Sequence, residues 1–210
     1  MNSIVSEKRY ISERLGIPYE NLSQSYLRAE TKLATTSKID FTLQRNKAVS
    51  AFVTERLLDL NDEFVITHFF VGLRAATNDT DEQQLKSVVN TYESTAVYTN
   101  TNVGVVYNSN LNFTIDRTEF IPQFPVRAFR RVPFQQMDVS SLNGAVDGKN
   151  GFTNGLYGFA NSEPTLINGR QTIDLSIDLD SSVVINDQAA TGLNIYAVFE
   201  ARGYLVVNAK

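Results

Sequence analysis

The stretch GRQTIDLSIDL, Gly169–Leu179, decides the fold. Ile173, Leu175, Ile177 and Leu179 alternate with Asp174, Ser176 and Asp178. Strand side chains point to opposite faces with period two, so the four aliphatics line one face and both aspartates the other. Asn168 and Gly169 supply turn chemistry at the entry to the strand. A rise of roughly 3.3 Å per residue places Asp174 and Asp178 about 13 Å apart. A calcium ion holds its oxygens at about 2.3–2.6 Å, so the pair cannot share one ion. The expectation is a buried aliphatic row with Asp174 and Asp178 solvated.

The same period recurs along the chain. Ile39, Phe41 and Leu43 alternate with polar residues, and EFVITHFFVGLRAA (63–76) is apolar on both faces, as in a strand covered on both sides. STAVYT, VGVVY, LNFTID, PVRAFRRV and LNIYAVFEARGYLVV read as further strands. Roughly eight strands joined by Asn-, Asp-, Gly- and Thr-rich turns predict a mainly β fold, a single antiparallel sandwich or barrel, rather than βαβ units.

The N-terminal region has a different period. Ile4, Ile11 and Leu15 share a helical stripe that Gly16 and Pro18 terminate. Leu22, Tyr26, Ala29 and Leu33 suggest a second helical piece from Asn21 to Leu33. The division expected is a short helical N-terminal arm, 1–36, and a β-sandwich domain, 37–210. Helices this short are not stable alone, so they must dock on their own body or on a neighbour. Within the body, 132–168 shows little periodicity and carries Gly144, Gly148, Gly151, Gly155 and Gly158. A connection this long is expected to be a glycine-rich excursion that packs through its aromatics.

Composition excludes several functions. The absence of cysteine removes disulfides, thiolate catalysis and cysteine-based zinc sites. No apolar run approaches the ~20 residues of a membrane helix, so no transmembrane segment is expected. MNSIVSEKRYISERLG is charged and does not read as a signal peptide. Residues 1–50 hold eight Lys/Arg against five Asp/Glu, whereas the rest holds eleven against eighteen. A mildly basic arm on an acidic body suits a neighbouring copy or weak contact with nucleic acid.

Motifs for chemistry are weak. GAVDGKN (144–150) has three residues between its glycines and Asn150 after Lys149, so it lacks the spacing and hydroxyl of a phosphate loop. His68, the single histidine, has Ile66 and Phe70 as same-face neighbours on a regular strand and reads as structural inside the sheet. No Gly-x-Ser-x-Gly elbow presents a nucleophile. No catalytic, cofactor-binding or metal-binding residue is therefore assigned. FPVRAFRRVPF (124–134) joins arginines to aromatics, which suits single-stranded nucleic acid or a subunit interface. In a strand Arg127, Phe129 and Arg131 share one face and Arg130 takes the other, which splits the cluster and favours the interface. Arg127, Arg130, Arg131, Phe134, Phe152, Tyr157 and Phe159 are the candidate interface residues.

The segments ERLLDLNDEFVITHFFVGLRAA (55–76), EPTLINGRQTIDLSIDL (163–179) and LNIYAVFEARGYLVV (193–207), with the arm before them, resemble jelly-roll viral capsid proteins of the kind found in tailless icosahedral bacteriophages. The resemblance implies a jelly-roll-like sandwich and a self-assembling shell subunit. Its partners would be copies of itself and other virion proteins; it would have no small-molecule substrate, no catalytic residues and no cofactor. It would be made in the host cytoplasm and located in the virion. A phage spike or fibre, or a carbohydrate-binding module, is the alternative, and a β-fold hydrolase with a carboxylate pair in a cleft is the third class.

Overall fold

A computed structural model describes residues 2–48, 55–76, 89, 101–130, 134–136, 149–151, 160–185 and 194–207. Helix α1 spans Asn2–Leu15. Gly16 ends it at φ +68°, its amide donating to the Ser12 carbonyl at 2.9 Å. This is a left-handed cap that glycine adopts without steric cost. Ile11 is fully buried and Leu15 half-buried, but Ile4 at the start of the same stripe is 45% exposed.

The strands are β1 (Leu22–Lys32), β2 (Thr35–Phe41), β3 (Glu63–Ala76), β4 (Asn110–Ile115), β5 (Thr118–Pro125), β6 (Phe134–Gln136), β7 (Lys149–Gly151), β8 (Ala160–Asn168), β9 (Ile173–Val184) and β10 (Asn194–Val206). Two four-stranded antiparallel sheets, β1-β10-β3-β8 and β2-β9-β4-β5, form a sandwich, and β6 and β7 make a separate hairpin. Each sandwich strand pairs with its mirror in chain order: β1 with β10, β2 with β9, β3 with β8 and β4 with β5. The β10–β3 and β9–β4 pairings then join these ribbons into sheets.

The core lies between the sheets. Phe199 of β10 meets Phe41 of β2 at 6.0 Å and Phe113 of β4 at 6.3 Å, while Phe69 of β3 meets Phe124 of β5 edge-on at 5.1 Å. Such aromatic pairs add about 0.5–1.5 kcal/mol each beyond the area they bury. Leu175, Ile177 and Leu179 are buried in this layer and Ile173 is half-buried, with Asp174 and Asp178 exposed on the other face. On that outer face Lys38 bonds Asp40 at 2.9 Å. The bond, with the charges of Asp40, Asp178 and Asp174, holds the ammonium above the ordinary lysine range. Asn112 donates to Asp178 and accepts the Gln123 amide. The aspartates thus belong to a solvated, hydrogen-bonded sheet surface.

Four expectations about secondary structure need correction. Residues 22–32 form a strand, so the helical part of the N-terminal region is α1 and a 3₁₀ turn, Tyr19–Asn21, and the expected boundary at 36 falls inside the sandwich. The i, i+4, i+7 spacing imitated a helical stripe. Instead Leu27 and Ala29 face the core between the sheets, while Leu22, buried in a second small core, and exposed Tyr26 lie on the opposite face, because β10 offers an unbroken register from Leu22↔Val206 to Lys32↔Tyr196. Tertiary pairing overrides so weak a local pattern. Second, the excursion expected over 132–168 ends by residue 160, since 160–168 is edge strand β8. Pro164 and a register break between Ile66↔Thr165 and His68↔Asn161 obscure its alternation.

Third, residues 126–129 of PVRAFRRV are not a strand. β5 stops at Pro125 and Val126–Phe129 make a 3₁₀ turn that buries Val126 and Phe129. Fourth, VGVVY lies largely in a 3₁₀ helix, Thr101–Val106, with Val103, Val106 and Tyr107 buried at roughly triplet spacing. STAVYT and residues 144–148 of GAVDGKN lie outside the described residues.

β4 and β5 are joined by Asp116 (φ 49°) and Arg117 (φ 68°), a pair of left-handed residues suited to a two-residue hairpin. The free edge of β1 is covered in part by a return of the chain, with Arg28 and Arg56 exchanging backbone hydrogen bonds at 2.9 Å.

Candidate functional site

A bulge in β3 creates the most featured surface. Ile66 pairs with Gly203 and His68 with Arg202, so Thr67 is an extra residue with no partner opposite. Ile66 therefore faces the core while His68, two positions on, faces outward. This corrects the placement of His68 inside the sheet: its side chain is 38% exposed on the outer face of the β1-β10-β3-β8 sheet. Gly203 permits the bulge, because a Cβ there would lie 1.8 Å from the Val65 carbonyl oxygen. The Thr67 hydroxyl is buried, donates to the Arg202 carbonyl at 3.3 Å and lies 2.8 Å from His68 Nδ1.

Helix α1 covers one end of this face. Ile11 and Ile17 join Leu22, Val65, Tyr204 and Val206 in a second small core. The phenol of Tyr204 donates to Glu7 Oε2 at 2.9 Å, and Glu7 Oε1 lies 3.9 Å from His68 Nδ1. Arg14 reaches Glu163 of β8 and Lys8 sits 4.4 Å over the Tyr19 ring. Two basic residues of the arm thus make contacts within the body.

Burial and the hydrogen bond to Glu7 push the Tyr204 phenol well above its ordinary range. An unfolded tyrosine ionises near pH 10. Above that pH the unfolded chain releases this proton while the folded one retains it, so stability falls as pH rises. Tyr204→Phe is expected to cost about 1 kcal/mol at pH 7 from the lost bond. It is also expected to flatten the alkaline decline. Urea denaturation between pH 8 and 11 checks this, and an unchanged slope in the variant would refute it.

Beyond the helix lies a groove of about 720 Å³. Tyr26, Arg28, His68, Glu200 and Arg202 line it, with Glu7 and Tyr204 at the helix side. Tyr26 is 42% exposed, with the Arg56 guanidinium 5.3 Å from the centre of its ring. Arg202 points its Nε at Glu200 at 3.4 Å. Arg28 turns its Nε to Glu30 at 2.8 Å, and so connects the groove to a buried cluster in which Glu30 also accepts from Arg74 at 2.9 Å.

His68, Thr67 and Glu7 do not make a nucleophile triad. Nucleophile and orienting acid must occupy opposite imidazole nitrogens, whereas here hydroxyl and carboxylate both approach Nδ1. Among the described residues no group of three metal-ligating side chains forms.

No family model, curated protein or solved structure matches this chain. The site has to be judged on its own geometry. Arg127 and Arg130 are exposed around the turn after β5. Phe134 opens β6, while Arg131, Phe152, Tyr157 and Phe159 lie outside the described residues. The groove residues were missed, although their signal is in the sequence. Glu200, Arg202 and Tyr204 alternate with apolar Phe199 and Ala201, and Gln24, Tyr26, Arg28 and Glu30 share the same period in the segment read as a helix.

Proposed function

We propose that this chain is a structural shell subunit of a virion, built on a jelly roll. The observation that carries the reading is the mirror pairing of the eight sandwich strands. Sheets ordered β1-β10-β3-β8 and β2-β9-β4-β5 are what an antiparallel ribbon gives when wrapped around a core. Eight strands in two such sheets characterise viral capsid domains, and also lectins and cupins. Fold alone does not choose among these.

Loop placement favours the shell. β1 and β3 both run antiparallel to β10, β5 and β9 both run antiparallel to β4, and β2 returns from the end of β1. Connections 77–109, 126–159 and 185–193 therefore all leave from one end of the sandwich, and Arg127 and Arg130 stand at the root of one. Three connections gathered at one end give the subunit a surface for neighbours, while 42–62 joins β2 to β3 at the other end. A stable interface buries on the order of 1,200–2,000 Å² in total.

Sedimentation velocity and negative-stain electron microscopy of the purified protein test this. The expected result is concentration-dependent assembly that Arg127→Glu/Arg130→Glu weakens without moving the thermal transition. A protein that stays monomeric at every concentration overturns the reading.

A further inference from the structure

We propose that the groove between α1 and the outer face of β1 and β10 binds a neutral oligosaccharide. This goes beyond the shell reading and does not depend on it. The volume, about 720 Å³, falls in the range of about 300–1,000 Å³ typical of small-ligand sites. Its charges balance: Arg28 and Arg202 line it together with Glu7 and Glu200. A phosphate or sulfate would meet two carboxylates there, and a divalent cation two guanidinium groups. A neutral polyhydroxylated ligand meets neither conflict, because each hydroxyl both donates and accepts. Arginine donors and carboxylate acceptors give such hydroxyls charge-assisted hydrogen bonds.

The second requirement of a sugar is a flat apolar surface for its C–H face. Tyr26 supplies one at the groove wall: it is 42% exposed, and Arg56 sits over one face of its ring at 5.3 Å, which leaves the other face for a ligand. The surrounding polar groups are mounted on paired strands rather than loops. Tyr26 stands opposite Arg202, Arg28 opposite Glu200, and Arg202 opposite His68. Their spacing is therefore fixed by sheet register, and binding would order little backbone.

Isothermal titration of the full chain with maltohexaose, cellohexaose, chitohexaose and mannohexaose, and with a heparin hexasaccharide as anionic comparator, tests the proposal. Binding of at least one neutral hexaose is expected. Tyr26→Ala should weaken it about tenfold, Tyr26→Phe should retain it, and Arg202→Ala should weaken it, with unchanged circular dichroism throughout. Failure of all four neutral sugars, preference for the heparin fragment, or binding undiminished in Tyr26→Ala overturns it. If no sugar binds and Tyr26→Ala instead abolishes self-association in sedimentation, the groove is a subunit contact and the proposal falls. Loss of assembly by itself, with sugar binding intact, overturns only the shell reading.

Discussion

Glu30→Ala is expected to destabilise the protein by about 3–5 kcal/mol, the range for removing one member of a buried ion pair. The Glu30 side chain is fully buried on β1. Its Oε1 accepts from Arg28 Nε at 2.8 Å, and its Oε2 accepts from Arg74 Nε at 2.9 Å and lies 2.6 Å from Arg74 Nη2. Glu55 accepts the Glu30 backbone amide at 2.7 Å. Arg74 is wholly buried, with its guanidinium stacked 4.2 Å over the Tyr196 ring. When Glu30 is truncated, Arg28 can turn toward the groove, since 17% of its side chain is already exposed. Arg74 has no such escape, and its stranded charge is the larger part of the cost. Glu30→Ala/Arg74→Met should therefore recover most of the loss, because the second change removes the orphaned cation and leaves an apolar chain against Tyr196. Urea denaturation of Glu30→Ala, Arg74→Met and the double variant decides the matter. A double variant as unstable as the sum of the two single ones would mean the cluster is not coupled in this way.

That cluster was not legible in the sequence, and the reason is physical. Glu30 and Arg28 come from a strand whose apolar residues, Leu22, Tyr26, Ala29 and Leu33, happen to satisfy a helical repeat. Arg74 closes a run otherwise read as apolar. Only the pairing of β1 with β10, and of β10 with β3, brings them together. His68 failed for a related reason. Alternation places 66, 68 and 70 on one face, but a single extra residue at Thr67 reverses the parity, and nothing in ITHFF announces a bulge. Gly203, three residues before Val206, was the one available hint: a glycine inside a strongly apolar strand marks a close backbone approach. By contrast, the first helix and its stop at Gly16, the two-faced apolar run of β3 and the alternation of β9 were readable, because each is decided by neighbours within a few residues. Pairing order is non-local. The sequence therefore supported a sandwich, while the mirror arrangement of its strands required the structure.

Leu175→Asp is expected to cost at least about 4 kcal/mol, which is most of the stability of a protein near the lower end of the usual range. Leu175 is 2% exposed near the start of β9, registered between Phe41 of β2 and Phe113 of β4. Both rings contact Phe199 of the opposite sheet, so the introduced carboxylate would face an aromatic layer with no donor. Asp174→Asn, one residue away on the solvated face, should change stability by no more than about 0.5 kcal/mol. The contrast isolates facing from position, since both changes fall in the same strand. It also carries a pH signature. Burial raises the pKa of the introduced carboxyl above its unfolded value of about 3.9. The ionisation penalty is thus present above that value and absent below it, and the deficit relative to the parent should shrink when both are compared at pH 7 and near pH 4. Guanidinium denaturation at the two pH values measures this. An Asp174→Asn variant as damaged as Leu175→Asp would mean that the outer face of the β2-β9-β4-β5 sheet is covered rather than solvated, and that its aspartates hold something in place.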